Sequence, residues 1–121
     1  MNYIIISVKS SNLSSKQVIS ICKLKDQYWK FGLRSQKLWF KTNIKNYDIH
    51  NLVYLKSKLI GYTLLRIRKR KIGNVKKLSK YLLFDTLIID KKFRKKKISE
   101  LLMKFNNKVI KKKKTYIFSD L

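Results

Sequence analysis

A run of cationic residues lies where an apolar, strand-like segment passes into a helix-like one. The run and the two residues after it are Arg94, Lys95, Lys96, Lys97, Ile98 and Ser99. A helix N-terminus exposes unpaired N–H groups and a partial positive charge, which together form an anion site. Successive amides in the preceding loop form a nest for phosphate. The segment Arg94–Ser99 therefore predicts a phosphate-binding site.

Few other residues have side chains suited to catalysis or metal binding. His50 is the only histidine and Cys22 the only cysteine, so neither a zinc cluster nor a cysteine–histidine pair is expected. Cys22 falls on an apolar helical pattern and is predicted to be a small core residue. His50 stands beside Asp48 in a polar turn and is predicted to lie at the surface. Metal catalysis is therefore not expected.

Aromatic and cationic residues alternate in the first half of the chain, a pattern that suits stacking on single-stranded nucleic acid. They are Trp29, Trp39, Phe40 and Tyr47 among Lys30, Arg34, Lys37, Lys41 and Lys45. Large aromatic residues at helical spacing are, however, usually part of a core. We therefore favour packing with partial exposure over nucleic-acid stacking.

Five short segments have the composition of β-strands. They are Tyr3–Lys9, Leu52–Leu55, Leu59–Ile67, Tyr81–Ile89 and Thr115–Phe118. The short gap between the second and the third suits a hairpin, and Gly61 within the third predicts a bulge or a close backbone approach. The fourth is almost continuously apolar, as expected for a strand covered on both faces. A basic loop, Arg68–Lys80, is predicted to precede it.

Three segments have the period of amphipathic helices. The first is predicted to be capped by Ser14 or Ser15 and to end or bend at Gly32. The apolar positions are Val18, Ile21, Cys22, Tyr28 and Trp29 in the first helix, those of Leu33–Ile44 in the second, and Ile98, Leu101, Leu102, Phe105 and Val109 in the third. The predicted order is β-α-α-β-β-β-α-β, with the last strand parallel to the fourth.

The segment Asp85–Leu102 resembles the central cofactor motif of the GNAT superfamily of N-acetyltransferases. In that family a strand runs into an Arg/Gln-x-x-Gly-x-Gly/Ala loop and then into an amphipathic helix. Arg94 matches the first position, Ser99 is a small residue at the last, and Lys97 replaces the first glycine. Lys97 is expected to adopt a positive φ or to crowd the pyrophosphate. The stretch Lys58–Tyr62 is similar to the opening of the family's third strand.

The resemblance implies one GNAT-like domain over residues 1–121, an α/β (α+β) fold with a mixed central sheet that lacks the family's last helix and strands. It also implies acetyl-CoA as acyl donor, with its pyrophosphate at Arg94–Ser99 and its pantetheine arm paired with the main chain of Leu87 and Ile89. The two-helix region would then line the acceptor side. The family's tyrosine acid has no counterpart, and Tyr116 is predicted to pack in the terminal strand.

Asp85 falls where several members of the family carry an acidic residue that deprotonates the acceptor amine, directly or through water. The resemblance therefore implies that Asp85 is the general base for a primary amine. From the residues alone, a polar side chain at a strand bulge, or an ion-pair partner among many lysines, is an equal alternative.

The charge of the chain is strongly positive, with 31 Lys and Arg against 6 Asp and Glu and a formal net charge of +25. Such a field attracts polyanions, including nucleic acid, anionic lipid and nucleotide cofactors. Codon bias in an A/T-rich genome explains the lysine excess equally well. An anionic acceptor fits this field, and a basic nucleic-acid or ribosome-associated protein that keeps the fold without catalysis is the alternative function.

Length and composition limit the remaining possibilities. A chain of 121 residues suffices for one core but not for two. A single cysteine and the lack of a signal-peptide pattern predict a reducing cytoplasm, and no apolar run approaches the roughly 20 residues that a membrane span needs. The exposed edge beyond Thr115–Phe118 predicts a homodimer through that strand.

Overall fold

The described part of the protein, residues 3–71, 78–94, 97–112 and 117–118 of a computed structural model, has the predicted order of strands and helices. The strands are β1 Tyr3–Lys9, β2 Ile49–Leu55, β3 Lys58–Lys71, β4 Leu78–Ile89 and β5 Ile117–Phe118. The helices are α1 Ser15–Asp26, α2 Leu33–Asn43 and α3 Ile98–Lys112. The order β-α-α-β-β-β-α-β is therefore confirmed.

The strands form one mixed sheet in the order β1-β2-β3-β4-β5. Neighbours among the first four are antiparallel, and β5 is parallel to β4, as predicted. The pairing of β5 involves only Tyr81 and Leu82 of β4. Beyond Leu82, the outer edge of β4 has no partner strand among the residues that the structure describes, so this edge is available to a ligand.

Both faces of the sheet are covered, as the apolar pattern of β4 predicted. Residues of α1 and α2 pack on one face with Leu52, Tyr62, Leu64 and Ile88. On the other face, Ile98 and Leu102 of α3 pack with Val53, Ile60 and Ile89. Burying each large aliphatic side chain contributes about 1.5–3 kcal/mol, so these two layers hold β4 in place.

Gly61 lies at a bulge and at a close approach, as predicted. The β2–β3 register shifts beside it, because Val53 pairs with Gly61 and Tyr54 with Leu59. A Cβ atom on Gly61 would lie 3.2 Å from Ile89 and 3.3 Å from Val53. The missing side chain therefore lets β3 and β4 pack closely beneath α3.

Helix α1 begins as predicted but ends early. Ser14 and Gln17 form a capping box, in which Ser14 Oγ accepts a hydrogen bond from the Gln17 N–H at 3.1 Å. The helix ends at Asp26 rather than at Gly32, and Gly32, with φ of 87°, instead begins α2. Tyr28 and Trp29 consequently lie in the connection between the helices, and their predicted place on the α1 face is wrong.

The predicted loop Arg68–Lys80 is also wrong over most of its length. Strand β3 continues to Lys71 and β4 begins at Leu78, with Arg68 opposite Tyr81. Pairing with a neighbouring strand stabilises an extended backbone even where the side chains are charged, which local composition does not reveal. Residues 72–77, including Gly73, lie outside the described part of the chain.

The prediction that His50 lies at the surface is wrong, because His50 is 0% exposed in β2. Its Nδ1 lies 2.6 Å from the Tyr62 hydroxyl and its Nε2 lies 2.6 Å from Ser10 Oγ. The Ser10 hydroxyl also donates to the Asp48 carbonyl at 3.3 Å. The His50 ring, the Tyr62 hydroxyl and the Ser10 hydroxyl all have hydrogen-bond partners if Tyr62 donates to Nδ1 of His50 and the Nε2–H of His50 donates to Ser10 Oγ. His50 is then a donor to Ser10 and cannot activate it as a nucleophile.

Asp48 and Cys22 are both fully buried. The Asp48 carboxylate accepts from the main-chain N–H groups of Lys45 at 2.9 Å and Ile67 at 3.0 Å, and it pairs with Arg68 at 2.8 Å. It thus ties the start of β2 to β3. Cys22 packs in the core as predicted, and burial raises the pKa of its thiol.

Candidate functional site

A bulge in β4 determines where Asp85 lies. Leu64 pairs with Thr86 and Leu65 with Phe84, so Asp85 is the extra residue between them. An extra residue in one strand places neighbouring side chains on the same face. Asp85 and Thr86 accordingly line the same cavity, on the α1 and α2 side of the sheet.

Asp85 also forms an ion pair. Both features of the alternative to a general base, a polar side chain at a strand bulge and an ion-pair partner, are therefore present. Its Oδ2 lies 3.0 Å from Nη1 of Arg66, and the two side chains are 27% and 21% exposed. Arg66 Nη2 further donates to the Asn43 carbonyl at 3.3 Å. The carboxylate is thus held by a partly buried arginine, and its role as a base stays a prediction.

The cavity has a volume of about 440 Å³ and lies between β4, α2 and the connection that follows α1. Its lining includes Lys25, Trp29, Phe31, Trp39, Asp85 and Thr86. Trp29 is 45% exposed and Trp39 is 37% exposed, so both rings lie at the surface, and the preference for packing over nucleic-acid stacking stays a prediction. Because α1 ends early, Trp29 can turn toward the cavity.

Lys25 is a cavity residue that the sequence did not single out. It is 7% exposed, and its Nζ lies 3.8 Å from the centroid of the Trp39 ring. Burial lowers the pKa of Lys25 and Arg66 lowers it further, while Cys22 and Asp85 act in the opposite direction. No local pattern distinguished it, because nothing near it in the chain revealed the tryptophan beside it.

The open edge of β4 directs main-chain groups away from β3. The Asp90 N–H donates to the Ile60 carbonyl of β3 at 2.8 Å. Main-chain groups alternate sides along a strand, so those of Ile89 and Leu87 face the open edge. The hydroxyl of Tyr28 donates to the Ile89 carbonyl. Leu87 and the Ile89 N–H therefore face the open edge, and their contact with a pantetheine arm stays a prediction.

Arg94 is held by Tyr28 rather than extended into the loop. Its Nε donates to the Tyr28 hydroxyl at 2.8 Å, and its guanidinium lies 4.7 Å from the centroid of the same ring. Tyr28 therefore links the open edge of β4 to the beginning of the cationic segment. Sequence reasoning placed Tyr28 on the apolar face of the first helix, and only the early end of α1 reveals this position.

Hydrogen bonds connect the link between β4 and the cationic segment to the end of α1. Gln27 donates to the Asp90 carboxylate at 3.1 Å and accepts from the Lys91 N–H at 3.1 Å. Burial raises the pKa of Asp90, but the hydrogen bonds from the Lys92 N–H and Gln27 and the charges of Lys58 and Lys92 outweigh it, so that pKa is lowered. The carboxylate is consequently held in its charged form.

Lys97 adopts a φ of 57°, the left-handed conformation that its place in the glycine position predicted. Its carbonyl accepts from the Leu101 N–H at 3.3 Å, which is the first hydrogen bond of α3. The N–H groups of Ile98, Ser99 and Glu100 therefore have no partner within the helix. Ile98 packs its side chain in the core, so only its main chain can serve a ligand. Lys95 and Lys96 lie outside the described residues.

Replacing Lys97 with glycine should raise the free energy of unfolding by up to about 1 kcal/mol, because the left-handed region costs an L-residue roughly 1–2 kcal/mol and glycine loses part of that gain in chain entropy. Lys104→Gly, in the exposed interior of α3, is the matched control and should lower it by about 1 kcal/mol. Urea denaturation measures both. Equal losses in the two variants would contradict the assigned conformation.

The described residues hold neither a metal-ligand cluster nor a membrane-spanning helix. No group of three or more His, Cys, Asp or Glu side chains in them is arranged to hold a metal ion. None of the helices in them has the length and apolarity that crossing a bilayer requires.

Comparison with solved structures connects this geometry to known proteins. The chain is similar to a possible acetyltransferase from Clostridium difficile 630, with 11% identity, a TM-score of 0.70, and 96% of this chain and 76% of that one covered. It is similar to a GNAT family acetyltransferase from Staphylococcus aureus, with 20% identity, a TM-score of 0.65, and 98% of this chain and 84% of that one covered. It is also similar to an aminoglycoside N-acetyltransferase in complex with CoA, with 10% identity, a TM-score of 0.65, and 99% and 78% covered.

These likenesses show that the chain has the GNAT fold. The predicted GNAT-like α/β fold is thus confirmed, and the cofactor role of Asp85–Leu102 stays a prediction. No protein-family model matches the sequence, and no curated protein matches it significantly.

Proposed function

We propose that this protein is an N-acetyltransferase that transfers the acetyl group of acetyl-CoA to a primary amine. The observation that carries the proposal is the position of β4 between two sites. Its bulge presents Asp85 to an aromatic cavity, and the same strand leads by its open edge to the first N–H groups of α3, which have no partner within the helix. A donor along the strand and an acceptor in the cavity would therefore meet at β4.

The described residues fit the acyl donor. The main-chain groups of Leu87 and the Ile89 N–H face the open edge, while Tyr28 occupies the Ile89 carbonyl. The first turn of α3 offers the N–H groups of Ile98 and Ser99 to a pyrophosphate. Lys97 already holds the left-handed conformation that the tight turn needs. Arg94 stands beside this turn on Tyr28, with Lys95 and Lys96 completing the proposed cationic segment.

The chemistry assigned to the protein is mainly positioning and proton removal. When bound, acetyl-CoA supplies an acetyl thioester. Transfer forms a bond between the amine nitrogen and the acetyl carbon and breaks the carbon–sulfur bond. Asp85 takes the proton of the amine, directly or through water, and the departing thiolate takes a proton from solvent. The aromatic walls of the cavity hold the acceptor and limit access of water.

The strongest test of the donor site is calorimetric titration with acetyl-CoA at roughly 0.5–1 M salt, where screening removes diffuse charge attraction. We expect saturable binding with one site per chain, and a loss of at least about tenfold in affinity for Arg94→Glu. Arg34→Glu, an equal charge change at an exposed position of α2, should bind like the natural protein. Equal effects of the two variants, or no binding, would refute the proposed site.

The alternative function rests on the net charge of +25. If acetyl-CoA does not bind at high salt while RNA binds with a steep salt dependence, a basic binding protein that keeps the fold becomes the better proposal. A cytoplasmic location, and a homodimer through the edge beyond β5, are further proposals. Fractionation and sedimentation, respectively, test them.

A further inference from the structure

The cavity contains a buried cation, Lys25, which lies over the Trp39 ring and forms no ion pair with any residue that the structure describes. Lys25 and Asp85 both line it, but Asp85 is already paired with Arg66 at 3.0 Å. Burial, above all, and the charge of Arg66 lower the pKa of Lys25. The nearby charge of Asp85 raises that pKa but does not offset them. An anionic group that enters the cavity would supply the missing counter-charge.

The walls and the size of the cavity limit the rest of the ligand. Trp29, Phe31 and Trp39 line it, and such surfaces pack well against a flat ring. A volume of about 440 Å³ lies toward the small end of ligand sites, which run from about 300 to 1,000 Å³. A compound with one ring therefore fits better than one with several linked rings.

Building on the proposed function, we infer that the acceptor is a small aromatic primary amine that also carries a carboxylate. The carboxylate binds Lys25 Nζ, the ring packs on the aromatic walls, and the amine lies beside Asp85. Polycationic amines are disfavoured, because Lys25 and Arg66 together outweigh the single carboxylate of Asp85. The cavity thus favours an acceptor with a negative charge over a polycationic amine such as an aminoglycoside.

Binding can be measured without catalysis, since Trp29 and Trp39 are the only tryptophans of the chain and both line the cavity. The natural protein is titrated with 4-(aminomethyl)benzoate and with 4-methylbenzylamine while tryptophan fluorescence is recorded. The two amines differ only by a carboxylate in place of a methyl group. We expect the benzoate to bind about tenfold or more tightly, as for one charge-assisted hydrogen bond.

A matched pair of variants assigns the preference to one side chain. Lys25→Met should reduce the ratio of the two dissociation constants to about one, whereas Lys16→Met, at an exposed position of the same helix, should preserve it. Thermal unfolding checks that each variant is folded. If Lys25→Met does not fold, the ratio in the natural protein still decides the question.

The inference is overturned if 4-methylbenzylamine binds as tightly as the benzoate, or if spermidine binds more tightly than both. These outcomes leave the proposed function intact, because acetyl-CoA takes no part in the titration. Conversely, a carboxylate preference that depends on Lys25, combined with no binding of acetyl-CoA at high salt, would retain the inferred ligand class and refute the acetyltransferase.

Discussion

Replacing Asp85 with asparagine should lower kcat for acetyl transfer by about 10²–10⁴-fold, the usual contribution of a positioned general base. Asparagine keeps the size of the side chain and an oxygen that can accept from Arg66, so the bulge and the cavity should persist. It cannot take a proton from the amine. Release of free thiol from acetyl-CoA, measured with a saturating aromatic amine, gives the rate.

Two controls separate a loss of base from a loss of structure. Asp26→Asn makes the same chemical change at a carboxylate that accepts from the Gly32 N–H at 2.8 Å, and it should leave kcat within about threefold. The affinity of Asp85→Asn for acetyl-CoA should match that of the natural protein. If Asp85→Asn keeps its rate, then Asp85 only pairs with Arg66 and the base lies elsewhere.

Acidification from pH 6.5 to pH 4 should remove roughly 3 kcal/mol of stability through His50 alone. Burial lowers the pKa of His50 to about 4. The charge of Lys25 also lowers this pKa, whereas the charge of Asp48 raises it. In the unfolded chain the pKa returns to about 6.5, and each unit of difference corresponds to about 1.4 kcal/mol. Between these values the unfolded state binds the proton and the native state does not, so stability falls as pH falls.

The variant His50→Gln isolates this contribution, because the chain has no other histidine. Urea denaturation at pH 7, 6, 5 and 4 gives the free energy of unfolding of both proteins. We expect the variant to be less stable than the natural protein at pH 7, with the difference shrinking by roughly 3 kcal/mol at pH 4. The carboxylates titrate in both proteins and cancel. A difference that does not change with pH would contradict the burial of a neutral His50.

Local rules of the chain determined most of the framework. The apolar period of Ile98–Val109 predicted α3, and Ser14 was one of two predicted caps for α1. Gly61 predicted a bulge and a close approach, and a lysine in a glycine position predicted the positive φ of Lys97. Each of these features depends on neighbours along the chain or on the sterics of a single residue, so a sequence contains the necessary information.

Only the tertiary structure decided which side chains lie beside one another. Lys25 lies beside Trp39, Arg66 beside Asp85, Tyr28 beside Arg94 and His50 beside Tyr62, and none of these pairs follows from a local pattern. His50 was predicted to lie in a surface turn and no pattern singled out Lys25, yet distant elements bury both residues. The sequence alone determined which elements form, and it predicted a phosphate-binding turn at the start of α3. The packing of α1, α2 and β4 decided which charges share a cavity, because burial and pairing depend on residues far apart in the chain.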